Sequence, residues 1–332
     1  MAANTDDKPK IEISPRRKWR FLFVALFIAL FTGASYIFSA LYMPTPRFPI
    51  GAYVTIPAGA TLNTAADILE SRGIIRSSFF FREYVRFFEG GRYVVAGQYY
   101  FDARIGAVDV AKRMIAGDYN IPRLKILVPE GSDVMEIAAS IKAQISGFES
   151  KKFAVLALPE EGYLFPDTYF FFGNVTPEEV VRSMKENFQM RTKDVAEKVA
   201  ASKRTWHEIL TMASIIERET KTAESRRIVS GILLKRIKIG MPLQVDATFS
   251  YVNGKTTYEL TQADLDIDSK YNTYEYKGLP PGPICNPGID SIVATLEPTK
   301  TDYLYYLSEK DGTMHYAKTF DEHKVNKYKY MR

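Results

Sequence analysis

The sequence predicts an α+β protein: an N-terminal transmembrane helix, a small βααβ module, and a larger mixed helical and β domain. Three observations lead there. Residues 21–43 carry no charge. Between residues 53 and 118, short apolar strands alternate with N-capped helices. Beyond Ser150 helical periodicity dominates and then gives way to turns and aromatic residues. The expected layout is a basic tail (1–20), the span (21–43), the small module (50–118) and a second domain (121–332).

The span comes first. Phe21 to Met43 reads FLFVALFIALFTGASYIFSALYM, long enough at about 1.5 Å per residue to cross a hydrocarbon core of about 30 Å. No polar face interrupts it, which argues against a buried core helix, and a signal-peptide apolar region is usually shorter. Arg16, Arg17, Lys18 and Arg20 precede it and only Arg47 closely follows. The positive-inside bias then places the N-terminus in the cytoplasm and the rest of the chain outside the cytoplasmic membrane. Pro44, Pro46 and Pro49 read as an extended spacer.

In the small module, Tyr53–Ile56 is a strand and Thr61 caps a helix that Gly73 ends. Ser77 or Ser78 caps a second helix to Phe88, Gln98–Phe101 returns as a strand, and Val108–Ile115 forms a short helix. The stretch Ile56-Pro57-Ala58-Gly59-Ala60-Thr61-Leu62 recurs as Val128-Pro129-Glu130-Gly131-Ser132-Asp133-Val134. Both copies read as a strand, a Pro-x-Gly turn and a capped helix. Later, Thr176-Pro177-Glu178-Glu179 and Thr205-Trp206-His207-Glu208 carry capping-box logic. The second opens a helix to about Thr220, and another follows over 224–237. Tyr303–Leu307 and Met314–Lys318 suggest a hairpin around Lys310-Asp311-Gly312.

Composition narrows the function. The net charge is +5, of which the first twenty residues, with six Lys/Arg and three Asp/Glu, supply +3. The remainder is too weakly basic to suggest nucleic acid. Cys285 is the single cysteine, so no internal disulfide forms, and His207, His315 and His323 lack metal-ligand spacing. No metal or cofactor is expected.

Candidate chemistry lies at the end of the helix Ile209–Thr220. Taking its apolar direction from Ile209, Leu210, Met212, Ile215 and Ile216, Glu219 falls about 50° away and Glu217 about 110° away. Glu219 therefore continues the buried stripe, where apolar walls raise a carboxyl's proton affinity as a general acid requires. Solvation, or pairing with Arg218, Arg226 or Arg227, is the competing reading for both acids. Glu161-Gly162-Tyr163-Leu164-Phe165-Pro166-Asp167-Thr168-Tyr169, followed by Phe170–Phe172, could form a sugar-stacking platform or equally a core strand and turn. The loops from Leu243 to Gly288 offer amide, carboxylate and hydroxyl groups on a proline-stiffened frame.

Together, Ala213-Ser214-Ile215-Ile216-Glu217-Arg218-Glu219-Thr220, Gly162-Tyr163-Leu164-Phe165-Pro166-Asp167-Thr168, Leu243-Gln244-Val245-Asp246, Tyr271-Asn272-Thr273-Tyr274 and Gly278-Leu279-Pro280-Pro281-Gly282 resemble, in order and approximate spacing, the bacterial endolytic murein transglycosylase family (MltG, YceG-like). The resemblance implies a LysM-like module ahead of a catalytic domain. It also implies cleavage within peptidoglycan strands between N-acetylmuramic acid and N-acetylglucosamine, leaving 1,6-anhydro ends. Glu219 maps onto the catalytic glutamate. Glu217, Tyr163, Phe165, Asp167, Gln244, Asp246, Asn272 and Tyr274 are assigned to substrate. Glycan strands, and cell-wall synthesis enzymes at the membrane, are the implied partners. The sequence departs from the pattern at Ala247, where proline is usual, which is expected to loosen that loop, and at Arg218, where lysine is commoner. Two alternatives remain: a non-catalytic wall-binding tether, and a two-carboxylate hydrolase using Asp167 or Asp246.

Overall fold

The computed structural model describes residues 15–90, 94–255, 259–309 and 311–330. Most of the expected basic tail, and Lys310 in the expected turn, lie outside them. The chain falls into two compact units that divide between Ile121 and Pro122, and its secondary structure is mixed α and β.

The first unit opens with α1 (Pro15–Tyr42). From Trp19 to Tyr42 this helix is long and apolar enough to cross a bilayer. There follow β1 (Ala52–Ile56), α2 (Leu62–Ser71), α3 (Ser78–Phe88), β2 (Gly97–Phe101) and α4 (Ala107–Ala116). β1 and β2 pair antiparallel, from Ala52 opposite Phe101 to Ile56 opposite Gly97. The Thr61 hydroxyl accepts the Thr64 N–H at 3.2 Å, and Ser77 accepts that of Phe80 at 3.4 Å. Each satisfies an amide that the first helical turn leaves unpaired. Gly73 takes the left-handed conformation (φ 72°) that stops α2, and the Ile74 N–H closes back on the Leu69 carbonyl at 2.9 Å. Val54, Ile56, Leu69, Phe81, Tyr99, Phe101 and Met114 fill the core.

The second unit contains β3 (Arg123–Leu127), α5 (Val134–Gln144), α6 (Ser150–Ala157), β4 (Thr168–Phe172), α7 (Pro177–Arg191), α8 (Ala196–Ala201), α9 (Trp206–Glu219), α10 (Ala223–Lys238), α11 (Ala247–Asn253), α12 (Gln262–Leu265), α13 (Ile289–Leu296), β5 (Tyr305–Ser308), β6 (Met314–Ala317) and α14 (Phe320–Tyr330). Its strands form two antiparallel pairs, β3 with β4 and β5 with β6. The strand, turn and capped helix of the internal repeat appear in both units. In the second copy Asp133 and Glu136 form a reciprocal capping box on α5.

α9 is the axis of this unit. Thr205 and Glu208 cap its start, and every residue from Ile209 to Ile216 is buried. It packs on α13 and α10, with two apolar clusters around it. Ile209, Leu210 and Ala213 meet Phe165, Phe188 and Ile292 in one. Met212, Ile215 and Ile216 meet Val229, Leu233 and Leu243 in the other. A helix buried all round has no single apolar stripe. The angular separation of Glu217 from Glu219 that the sequence suggested thus loses its reference direction, and tertiary contacts decide what each acid does.

Candidate active site

α9 carries Glu219 out of the core as its last residue. The carboxyl borders two cavities. One, of about 760 Å³, lies against the turn Pro129–Ser132, the start of α5 and the end of α9. The other, of about 430 Å³, is walled by Arg236, Gln244, Asp246, Tyr274, Tyr306 and α14. Glu219 and Ser308 are common to both. Tyr305, Tyr306, Leu307 and Ser308 all line the smaller cavity, and Ser308 reaches the larger one as well.

The Glu219 carboxyl is raised to about 7, first by burial and then by the neighbouring Asp246 charge. Its place at a helix C-terminus, where backbone carbonyls concentrate negative potential, works in the same direction. Three groups oppose the rise: the Ala247 N–H donating at 3.3 Å, the Tyr306 hydroxyl, and the Arg236 guanidinium. Glu219 is thereby left near neutrality, able both to give and to take a proton. Asp246 accepts a 2.5 Å hydrogen bond from the Tyr274 hydroxyl. Arg236 is buried and donates to the carbonyls of Leu304 (2.7 Å) and Leu243. Its positive charge is thus fixed beside the site.

Ala247 opens α11. Proline would fit such a first helical position but has no N–H to offer. The alanine therefore adds a hydrogen bond to Glu219 that proline would remove. The loop expected to be loosened at Ala247 is instead the first turn of α11.

Glu217, two residues back, has a different environment. Its side chain is 5% exposed and pairs with Arg226 at 2.7 Å, while its second oxygen accepts the Gly288 N–H at 2.9 Å. It ties α9 to α10 and to the start of α13. Arg218 reaches α5 instead, at 2.7 Å from Glu136.

A buried polar knot holds the cavity wall. Asn286 donates to Glu161 at 2.7 Å and accepts the N–H groups of Gly162 (2.8 Å) and Leu164 (3.0 Å). The Glu161 carboxylate also accepts the Val134 N–H at 3.1 Å, at the start of α5. Burial raises Glu161 to about 8. Gly162 is required here: it has φ 88°, and a Cβ would sit 2.6 Å from the Pro283 ring.

A family model described as "YceG-like family" matches residues 54–329. The chain belongs to the YceG-like family. An endolytic murein transglycosylase of Bacillus subtilis is 32% identical over 307 residues, covering 84% of each chain. One from Streptococcus pneumoniae is 28% identical over 349 residues, covering 91% of this chain, which spans 63% of that relative's length. A crystal structure of a yceG-like protein from Listeria monocytogenes has a TM-score of 0.56 at 30% identity, covering 82% of this chain and 98% of that one.

In this YceG-like chain, the residues singled out from sequence fall into three groups. Gln244, Asp246 and Tyr274 meet Glu219 around the smaller cavity. Glu217 lines the larger one but is held in its ion pair. The others lie elsewhere. Phe165 is buried, and Tyr163 packs edge-on to Phe188 at 5.3 Å in the same cluster. Asp167 pairs with Arg191 at 2.6 Å and accepts from Asn187 at 3.1 Å. Asn272 is fully buried and donates to the carbonyls of Leu265 and Ile267 at 2.8 and 2.9 Å. Sequence reasoning missed Tyr306 and Arg236; the segments of Glu161 and Asn286 drew notice, but not the bond between them. All of Tyr305–Ser308 lines the smaller cavity, so strand alternation alone does not single out Tyr306.

Proposed function

We propose that this chain is an endolytic murein transglycosylase in which Glu219 serves first as acid and then as base. One observation carries the reading: a carboxyl whose proton affinity is raised to about 7 stands where two cavities meet. A polysaccharide laid across that junction presents one glycosidic bond to Glu219 with sugars on either side. The names of the bacillar and streptococcal relatives support the substrate class.

Protonated Glu219 gives its proton to the glycosidic oxygen as the bond to muramic C1 breaks through an oxocarbenium-like state. The resulting carboxylate takes the proton of the muramic C6 hydroxyl, and that oxygen bonds to C1. The products are a 1,6-anhydro end and a free sugar hydroxyl. No water is consumed, because the nucleophile is already attached to the substrate. Tyr306 and the Ala247 N–H support the ionised form between the two transfers. Gln244, Asp246 and Tyr274 hold the sugar in the smaller cavity.

The competing chemistry is hydrolysis with Asp246 as second carboxylate, which the shared cavity favours over Asp167. Mass analysis of digested glycan strands separates the two. Transglycosylation gives ends lighter by one water, and hydrolysis gives ordinary reducing ends. Glu219→Gln is expected to lower turnover by about a thousandfold or more while the protein stays folded. Ordinary reducing ends, or an active Glu219→Gln protein, would refute the mechanism.

The βααβ arrangement of β1, α2, α3 and β2 supports a LysM-like, glycan-gripping module within residues 50–118. The apolar helix α1 acts as a single-pass anchor in the cytoplasmic membrane, with the basic tail inside and the catalytic unit outside. In this reading, cell-wall synthesis enzymes at the membrane are the neighbours that supply nascent strands.

A further inference from the structure

Apart from Leu127, the outward face of the β3–β4 pair has no part in the site described above. Alternation along β4 buries Tyr169 and Phe171 and turns Phe170 and Phe172 outward, 63% and 46% exposed. On β3 the same face carries Arg123, Lys125 and Leu127. The register sets Arg123 opposite Phe172 and Lys125 opposite Phe170. The Arg123 guanidinium lies over the Phe172 ring, 4.8 Å from its centroid. Leu127, 59% exposed, sits diagonally from Phe170 and also lines the larger cavity at Glu219. At the other end, Phe170 and Phe172 border a second depression of about 460 Å³ with Asn174 on its rim.

We propose that this face is an extended glycan-binding platform, continuous with the catalytic cavity through Leu127. On it Phe170 and Phe172 stack against pyranose rings, and Arg123 and Lys125 meet the carboxylates of the attached peptide stems. Two outward rings on alternate positions of one strand are about 7 Å apart. They offer flat π-surfaces to a chain whose sugars present apolar C–H faces and polar edges. A purely apolar partner would leave Lys125 unmatched and Arg123 with only its contact to one face of the Phe172 ring, whereas a stem-bearing strand satisfies rings and cations together. Continuity with the cavity selects the strand over an unrelated protein. An enzyme that cuts inside long strands gains from holding sugars beyond the scissile bond.

The inference rests on the proposed function, and two measurements on the full chain in detergent micelles separate the two. In the first, the Phe170→Ala/Phe172→Ala protein digests long stem-bearing strands and short tetrasaccharide fragments. The expected result is a KM about tenfold higher for long strands, with kcat and the activity on fragments unchanged. In the second, cosedimentation with insoluble peptidoglycan is measured in the Glu219→Gln background, with and without the two ring substitutions. Bound protein should fall when the rings are removed. Both substitutions are at exposed positions, so an unchanged melting temperature is the control for folding. Unchanged long-strand KM together with unchanged cosedimentation overturns the platform. So does an effect that appears only when the chain is reconstituted in lipid vesicles, which would make this face a membrane contact. If the unsubstituted chain cleaves nothing but cosedimentation still depends on the rings, the catalytic reading fails and the platform stands.

Discussion

Glu217 and Glu219 leave the same helix two residues apart and enter opposite chemical settings. Around Glu217, Arg226 and the Gly288 N–H satisfy both oxygens of a carboxylate that water scarcely reaches. Around Glu219, burial and the Asp246 charge favour the neutral acid, and one amide, one phenol and one guanidinium only partly offset them. The first setting fixes a charge and ties three helices together. The second leaves a proton in play. In a buried setting it is the balance of partners, more than burial itself, that separates a structural carboxylate from a reactive one.

The comparison breaks most visibly at Glu217. Glu217→Gln leaves the buried Arg226 charge with only the longer ion pairs to Asp290 (3.7 Å) and Glu130 (3.9 Å). Denaturant unfolding is expected to register a loss of about 3 kcal/mol, while the folded fraction keeps its pH profile. Abolished turnover at unchanged stability would mean that the two acids had exchanged roles.

The next effect is on stability against pH. Glu219 binds its proton more tightly in the folded chain, about 7 against an ordinary 4.5. Its contribution is therefore complete below pH 4.5 and disappears as the pH rises to 7. Over that window Glu219→Gln should flatten the decline by about 1–2 kcal/mol, allowing for partial solvent screening. Glu161, raised to about 8, adds a decline of the same sign that extends to higher pH.

Finer probes concern the donors to Glu219. Cleavage needs the protonated acid, so the rate should fall as the pH rises through about 7. Tyr306→Phe removes a donor to the ionised form, raising the proton affinity and moving that alkaline limb upward by about one pH unit. Ala247→Pro, which keeps the helix start of α11 but deletes its N–H, should move the limb the same way by a few tenths of a unit. A downward movement in either protein would contradict the assigned hydrogen bonds.

The sequence by itself determined the local elements: the uncharged run of α1, the caps at Thr61, Asp133, Thr176 and Thr205, and the repeated strand, turn and helix. Each depends on residues within a few positions of one another, where propensity and capping act directly. α6, α13 and α14 were not legible. The first two are only eight residues long, and α14 buries none of its residues, so its pattern is not that of a core-facing helix. Tertiary structure alone decided the site. The Glu161–Asn286 bond spans 125 positions and the Glu217–Gly288 bond spans 71, and no local pattern encodes either. Likewise, which aromatics of Tyr163–Phe172 face solvent was set by the register of β3 against β4 and by Phe188 packing on Tyr163. Proton affinity follows from the three-dimensional count of walls, charges and donors around a carboxyl. Segments far apart in the chain supply all three.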